Sequence, residues 1–409
     1  MTWWMHIDQF LNPRRLKYAW IAGGVLWGAW LLSTILGPGN LDLAGQVIGT
    51  DYLQFYTAAV TLQQGHSLDL YNFAYQSQLE QTIVGPGLTS FHAFITPPFL
   101  AWIYVPLSFL PYTWSFIAWS LLGLLFLWMS SKLLVLDRPL KGFLWSLTWF
   151  PIFAAFSFGQ NSLLSLLLFS LTYRLWRSNK YLEAGLVSSL LLFKPQMMLG
   201  IGLLWLLEWR HSWKALLGLC LGGGALVGLC FWLLPDASRA YIDLARSFLP
   251  GMLYQDQFPL WHLHSLRGFW ILLFPGQTWL VEGLSLIMSV AGIAAFIYFW
   301  RVQRQDRTVL FAGAICLTIW ITPHAMIYDW SILLIPAILL WQEFSELKSL
   351  WKAIFSLIWL ATFLSGPLTV LQLKVLPIAI QISLPMFLLS LIVTWKTMLT
   401  RPIKDTVPT

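Results

Sequence analysis

The sequence predicts an all-α polytopic membrane protein. Three observations carry this. Of 409 residues, 58% are hydrophobic and only 10% are charged, a charge content that soluble domains rarely show. Several apolar runs reach or approach the roughly 20 residues that cross a bilayer. Lysine and arginine gather in short segments between those runs, as in cytoplasmic loops. Such loops account for the net charge of +7, so no nucleic-acid partner is implied.

The chain opens with MTWWMHIDQFLNPRRLKYAW. It lacks the order of a secretory signal and a small-residue cleavage site, so Tyr18–Leu36 is expected to be a retained first span. Arg14, Arg15 and Lys17 precede it and place the N-terminus in the cytoplasm. The next basic residue is Lys132. Between them, Gly37–Phe94 carries Asp42, Asp51, Asp69 and Glu80 but no lysine or arginine, and is expected on the outer face.

Within that stretch, GTDYLQFYTAAVTLQQG at 49–65 reads as a helix. Tyr52, Phe55, Tyr56, Ala59 and Val60 form one stripe, and Gly65 is suited to end it. The stripe is expected to lie along the membrane surface. Ile95–Leu136 is expected to cross once, with prolines 97, 98, 106 and 111 marking a short re-entrant or broken piece first.

Basic residues fix the remaining spans. Lys132, Arg138 and Lys141 lie inside, so 143–158 goes out and 161–177 returns to Arg174, Arg177 and Lys180. Residues 181–194 go out and 196–208 return to Arg210 and Lys214. Residues 213–234 go out, a second outer loop runs to about His264, and 279–300 returns to Arg301, Arg304 and Arg307. Residues 308–322 go out, 324–341 return, 352–366 go out from Lys348 and Lys352, and 376–396 return to Lys396, Arg401 and Lys404. About twelve crossings result, with both termini cytoplasmic. Residues 1–234 are expected to form one membrane module. Residues 235–409 form the second outer loop and the C-terminal transmembrane helices. Cys220, Cys230 and Cys316 lie in apolar runs and read as packing residues.

This threading brings scattered polar groups to the outer ends of spans. Ionisable residues there are expensive and point to function. Each also has a plain structural reading. Asp51 either caps its helix or serves as a general base. Lys194, in LLLFKPQMML, either snorkels to the headgroups or binds a phosphate beside the proline break. Gly159, Gln160 and Asn161 form an ordinary turn or hydrogen-bond a polyol such as a sugar. His324, in TPHAMIYDW, is an interfacial histidine or part of the site. Arg267 is an interface anchor or a further cation. His262 and His264 close the second outer loop. Asp329 requires a buried partner that the sequence does not identify.

Other classes lack their motifs. There is no GxxxxGK phosphate loop and no HExxH. Asp51 has no acidic residue two positions away, so no paired-carboxylate metal site is signalled.

Several motifs together resemble a known family. Asp51 after the first span is followed by GHSLDLYN at 65–72, FITPPFLAWIYVPLSFLP at 94–111 and FGQNSLLSLLL at 158–168. Then come EAGLVSSLLLFKPQ at 183–196 and WRHSWKALLG at 209–218. In that order they resemble glycosyltransferase family 87, whose polyprenyl-phosphate-sugar-dependent members include mannosyltransferases.

The resemblance implies the GT-C type fold, with membrane-parallel helices in the first outer loop and an active site on the extracytoplasmic face of the plasma membrane. It implies transfer of a hexose, mannose by analogy, from a polyprenyl-phosphate donor to a glycolipid or glycan acceptor, with inversion and without a metal or other cofactor. Asp51 then matches the general base. Lys194, with His324 and Arg267, would bind the donor phosphate. Gln160, Asn161, Tyr52 and His264 would contact sugar or acceptor.

Two other functions compete. A lipid-carrier flippase would place counter-charges through the membrane midplane. A lipid-diphosphate-dependent ligase or polymerase would call for more outer arginines than Arg239, Arg246 and Arg267.

Overall fold

A computed structural model describes residues 11–399 apart from 86, 136, 256–257 and 304–305. Arg304, Arg401 and Lys404, used above as orientation markers, lie outside the described residues. The described chain is helical, with two isolated bridges, Leu41 to Val47 and Leu263 to Met326.

The helices follow in order. α1 is Pro13–Leu36, α2 Tyr52–Gln63, α3 Phe73–Val84, α4 Pro98–Ser108 and α5 Tyr112–Leu134. α6 is Pro139–Ser146, α7 Phe150–Ser157, α8 Ser162–Arg177 and α9 Tyr181–Ser189, which tightens into a 3₁₀ turn over Leu190–Phe193. A second 3₁₀ turn, Pro195–Met198, leads into α10, Leu199–Leu207. α11 is Trp209–Leu233, α12 Pro235–Ser247, α13 Leu266–Leu273, α14 Thr278–Val302 and α15 Arg307–Ile321. A 3₁₀ segment over Ile327–Leu333 precedes α16, Leu334–Glu343. α17 is Lys348–Leu373 and α18 Ser383–Leu399.

Among the described residues, five helices are long and apolar enough to span a bilayer: Arg14–Leu36, Tyr112–Leu134, Trp209–Leu233, Thr278–Val302 and Ser345–Leu373. Their apolar side chains point outward. Val25, Ile35, Leu121, Leu221, Leu286 and Leu371 are all exposed, which suits a lipid surround and no aqueous one. Exposed tryptophans mark both ends, with Trp114, Trp232 and Trp279 at one and Trp209 and Trp213 at the other. The protein is a multi-pass membrane protein.

Inside this shell stand three shorter hairpins: α7 with α8, α9 with α10, and α15 with α16. At 1.5 Å per residue, α8 spans about 24 Å and α7 about 12 Å, less than a hydrocarbon core of about 30 Å. Their open ends lie together at the basic end of the molecule. There Arg307 donates to Asn179 and Tyr181, Gln342 reaches Leu134 O and Gln303 reaches Met398 O. Their tips meet at the opposite end.

Close backbone approach packs α9 against the long helix α11. A Cβ at Gly185 of α9 would strike Ala215 O, and one at Gly218 of α11 would strike Leu182 O. The glycines of EAGLVSS and WKALLG therefore let two membrane helices touch backbone to backbone.

Two expectations need correction. The span at 143–158 is broken into α6 and α7, because Pro151 has no N–H to continue the preceding helix and sits in the first turn of a new one. The helix at 52–63 does not lie on the surface with one buried stripe. Leu53, Thr57, Ala58 and Thr61 are buried along with Tyr52, Phe55 and Tyr56. α4 covers one flank of α2, and an aromatic cluster of Tyr104, Tyr112, Phe116 and Trp119 closes around Tyr52. The piece before the fifth helix is the 11-residue α4, too short to cross.

Candidate active site

The site lies where the three hairpin tips meet the start of α2. Asp51 occupies the N-cap position, yet its side chain makes no capping hydrogen bond. The backbone holds it in place: the Asp51 and Tyr52 amides both donate to Phe158 O at 3.0 Å. The carboxylate is thus free to turn toward the first hairpin tip, where Asp51 Oδ2 accepts from Gln160 Nε2 at 2.7 Å. Gln160 Nε2 also donates to Tyr328 Oη at 3.1 Å.

Gly159 makes that approach possible. Its φ of 66° favours glycine, and a Cβ there would collide with Tyr52 and Phe116.

Burial raises the Asp51 carboxyl above its ordinary 3.8, while Gln160, His92, Tyr328 and Lys194 draw it back down. His92 is held by its backbone amide, which donates to Glu80 Oε2 at 3.0 Å. Burial lowers its imidazole, and Asp51 opposes the shift.

The second tip carries Lys194. Its backbone leaves helical geometry there, at φ −132° and ψ 74°, because Pro195 must start a new turn. The ammonium does not snorkel to the headgroups. It bonds Asp329 Oδ1 at 2.7 Å, with side chains only 13% and 4% exposed, and lies 5.1 Å from the Tyr328 ring centre. Asp329 also accepts from Ser162 Oγ at 3.2 Å and from the Met326 amide at 3.1 Å. The partner that Asp329 requires is thus Lys194, 135 residues away.

The third tip carries His324, whose Nε2 lies 2.9 Å from Gln196 Nε2. Electrostatic interactions reach His324 from Asp329, Lys194 and Arg267. Arg267 itself bonds Glu282 at 2.6 Å, and Tyr254 Oη donates to the same carboxylate.

The segment between α12 and α13 clamps this tip. His264 N donates to Ala325 O, 2.8 Å, and Ser265 Oγ donates to Pro323 O. Behind Phe158 lies a mostly apolar cavity of about 410 Å³, lined by Trp261, His262, Ile327, Pro367 and Lys374 among others. The Phe158 ring meets His262 on the cavity side and Tyr328 on the other.

The structure therefore brings Asp51, Gln160, Lys194 and His324 together. Asn161 adjoins them, fully buried, with both amide atoms lacking a hydrogen-bond partner among the described residues. Such atoms are costly unless a ligand or water meets them. Arg267 stands at the edge. Tyr52 is not brought in, because its hydroxyl is used by Ser115 Oγ at 2.6 Å inside the aromatic cluster. His264 is buried with Nδ1 on Ser383 Oγ, and burial, reinforced by His262, pushes it down to about 3, so it is neutral. Tyr328 and His92 were not singled out from the sequence. Tyr328 lies beside Asp329 in TPHAMIYDW, and His92 is an isolated polar residue in SFHAF.

The sequence model of glycosyltransferase family 87 matches residues 94–323, more than half of the chain. The chain belongs to glycosyltransferase family 87. No curated protein and no solved structure matches it. Family 87 membership makes it a membrane glycosyltransferase, which sets the flippase reading aside. The matched region holds Gln160, Asn161, Lys194 and Arg267 and ends one residue before His324. Asp51 and His92 lie before it, so their placement rests on the fold.

Proposed function

We propose that this family 87 enzyme transfers a hexose, mannose by analogy, from a polyprenyl-phosphate donor to a lipid or glycan acceptor. Asp51 is the general base. One observation supports this above the others: Asp51 and Lys194 belong to a single buried cluster, joined through Gln160 and Tyr328.

Asp51 takes the proton of an acceptor hydroxyl as its oxygen attacks the anomeric carbon. The bond from that carbon to the phosphate oxygen breaks, and polyprenyl phosphate leaves with the electron pair. Direct displacement inverts the anomeric centre. Lys194, helped by His324 and by Arg267 once Glu282 releases it, stabilises the departing phosphate. A leaving phosphomonoester needs less neutralisation than a diphosphate, and this reading invokes no metal. Gln160 holds Asp51, and Asn161 offers its free amide to the sugar.

In this reading the fold is of the GT-C type. The three hairpins count as paired crossings beside the five long helices and α18, to give about twelve. The basic end faces the cytoplasm with both termini, and the tips face outward across the plasma membrane. Lipid substrates then reach the tips sideways, and the cavity behind Phe158 offers room for an apolar chain.

The test uses membranes containing the protein and labelled polyprenyl-phosphate mannose. Wild type transfers label to lipid or glycan, and Asp51→Asn does not. Transfer by Asp51→Asn at the wild-type rate overturns the assignment. Competition by a lipid diphosphate as strong as by the monophosphate would favour the ligase class.

A further inference from the structure

Asp329 has no role in the chemistry described so far, yet it holds the lysine assigned to the donor phosphate. The two are 2.7 Å apart and nearly buried. A carboxylate in that position competes with any incoming anion for the ammonium. Breaking a buried ion pair is normally expensive, because one charge is left without donors. Here the cost is reduced on both sides. Asp329 keeps two donors of its own, Ser162 Oγ and the Met326 amide. Lys194 is not sealed in, and its flexible four-carbon stem can redirect the ammonium.

The charge at this point changes during the reaction. A sugar phosphodiester carries one negative charge. The monoester released from it approaches two, since its second pKa is about 6. Lys194 must therefore accept a monoanion and release something close to a dianion. A lone buried lysine would hold the second more tightly than the first. A fixed carboxylate beside it weakens that preference, because repulsion too grows with the charge of the ligand.

We propose that Asp329 is a positioning residue that holds Lys194 in the empty enzyme and discriminates against the dianionic product. The proposal rests on the donor class and Lys194 role given above. When the donor arrives, the ammonium turns from Asp329 to the phosphodiester, and Asp329 stays on Ser162 and Met326. When the carbon–oxygen bond has broken, Asp329 recaptures the lysine and the phosphomonoester departs. The same repulsion disfavours lipid diphosphates.

The experiment uses the purified full chain, polyprenyl-phosphate mannose as donor and farnesyl phosphate as the product probe. In Asp329→Asn the inhibition constant of farnesyl phosphate falls about tenfold, the size expected for removing one nearby like charge. Donor KM falls less, and kcat falls because product leaves slowly. Asp329→Glu keeps the charge and restores the wild-type ratio of the two constants. A ratio in Asp329→Asn equal to wild type overturns the proposal, since mere loss of structure would not shift one constant against the other.

Ser162→Ala supplies a test independent of that variant's folding. It removes one of Asp329's own donors, so the carboxylate clings to Lys194 and donor KM rises. An unchanged KM overturns the proposal. If wild type neither binds farnesyl phosphate nor turns over the donor, the donor reading fails. If wild type does both and the ratio does not move, only the role of Asp329 fails.

Discussion

Two aspartates divide the site between them, and their surroundings differ in kind. Asp51 accepts from a neutral amide and has no cation within hydrogen-bonding distance among the described residues. Asp329 bonds an ammonium, a hydroxyl and a backbone amide. A carboxylate that must take up a proton is best held by a weak neutral donor, which keeps it basic. A carboxylate that must stay ionised is best held by a cation. The pair teaches that burial alone does not assign a role, and that the partner does.

The first way to break this comparison is to neutralise each side. Asp51→Asn removes the proposed base, and kcat is expected to fall on the order of 10³-fold in the labelled transfer assay, within the span of general-base contributions. Lys194→Met leaves the base in place and is expected to lower kcat/KM by about 10²-fold, as loss of one stabilising donor does. Equal and small effects on both would erase the distinction.

Gln160→Met sharpens it. The amide favours the ionised form of Asp51, so its loss raises a carboxyl already raised by burial. The base works only when ionised, so activity falls as pH drops through that value. The acid limb of kcat/KM is expected at higher pH in Gln160→Met than in wild type, with about tenfold lower activity at neutral pH. An acid limb at the same pH in both proteins would show that Gln160 does not tune the base.

A third buried carboxylate, Glu80, tests the rule outside the site. Its side chain is fully buried, with one oxygen on the His92 amide and the other lacking a partner. Burial pushes it from 4.5 up to about 8. A raised folded value means that its stabilising contribution is complete below 4.5 and is lost as pH rises toward 8. Glu80→Gln should therefore lose less thermal stability between pH 6 and pH 9 than wild type, as read by melting curves. The smallest effect is expected from Tyr52→Phe. It removes only the bond to Ser115, worth about 1 kcal/mol of stability, and transfer activity should stay at the wild-type level.

The shell of the molecule was legible in the sequence because it depends on composition. α11 and α14 are uninterrupted apolar runs, and nothing distant is needed to recognise them. The tips were legible as motifs but not as contacts. Lys194 and Asp329 meet across 135 residues, brought together by the packing of α10 against α15 and of α7 and α8 against the 3₁₀ segment that holds Asp329. Asp51 was read correctly as a helix start, but a helix start does not reveal which way the side chain turns. The stripe on α2 misled because periodicity finds one apolar face. It does not show that α4 and α5 bury the small and hydroxylated residues of the other faces as well. Proline was the most reliable marker at this scale, since Pro151, Pro195 and Pro323 each mark a break beside the cluster.

The shortness of α7 has a consequence of its own. Its eight residues end next to Phe158, whose carbonyl takes the Asp51 and Tyr52 amides. The length of α7 therefore sets the height at which the Asp51 carboxylate meets Gln160. One added turn, about 5.4 Å, would carry Phe158 past the start of α2 and put the two side chains out of register.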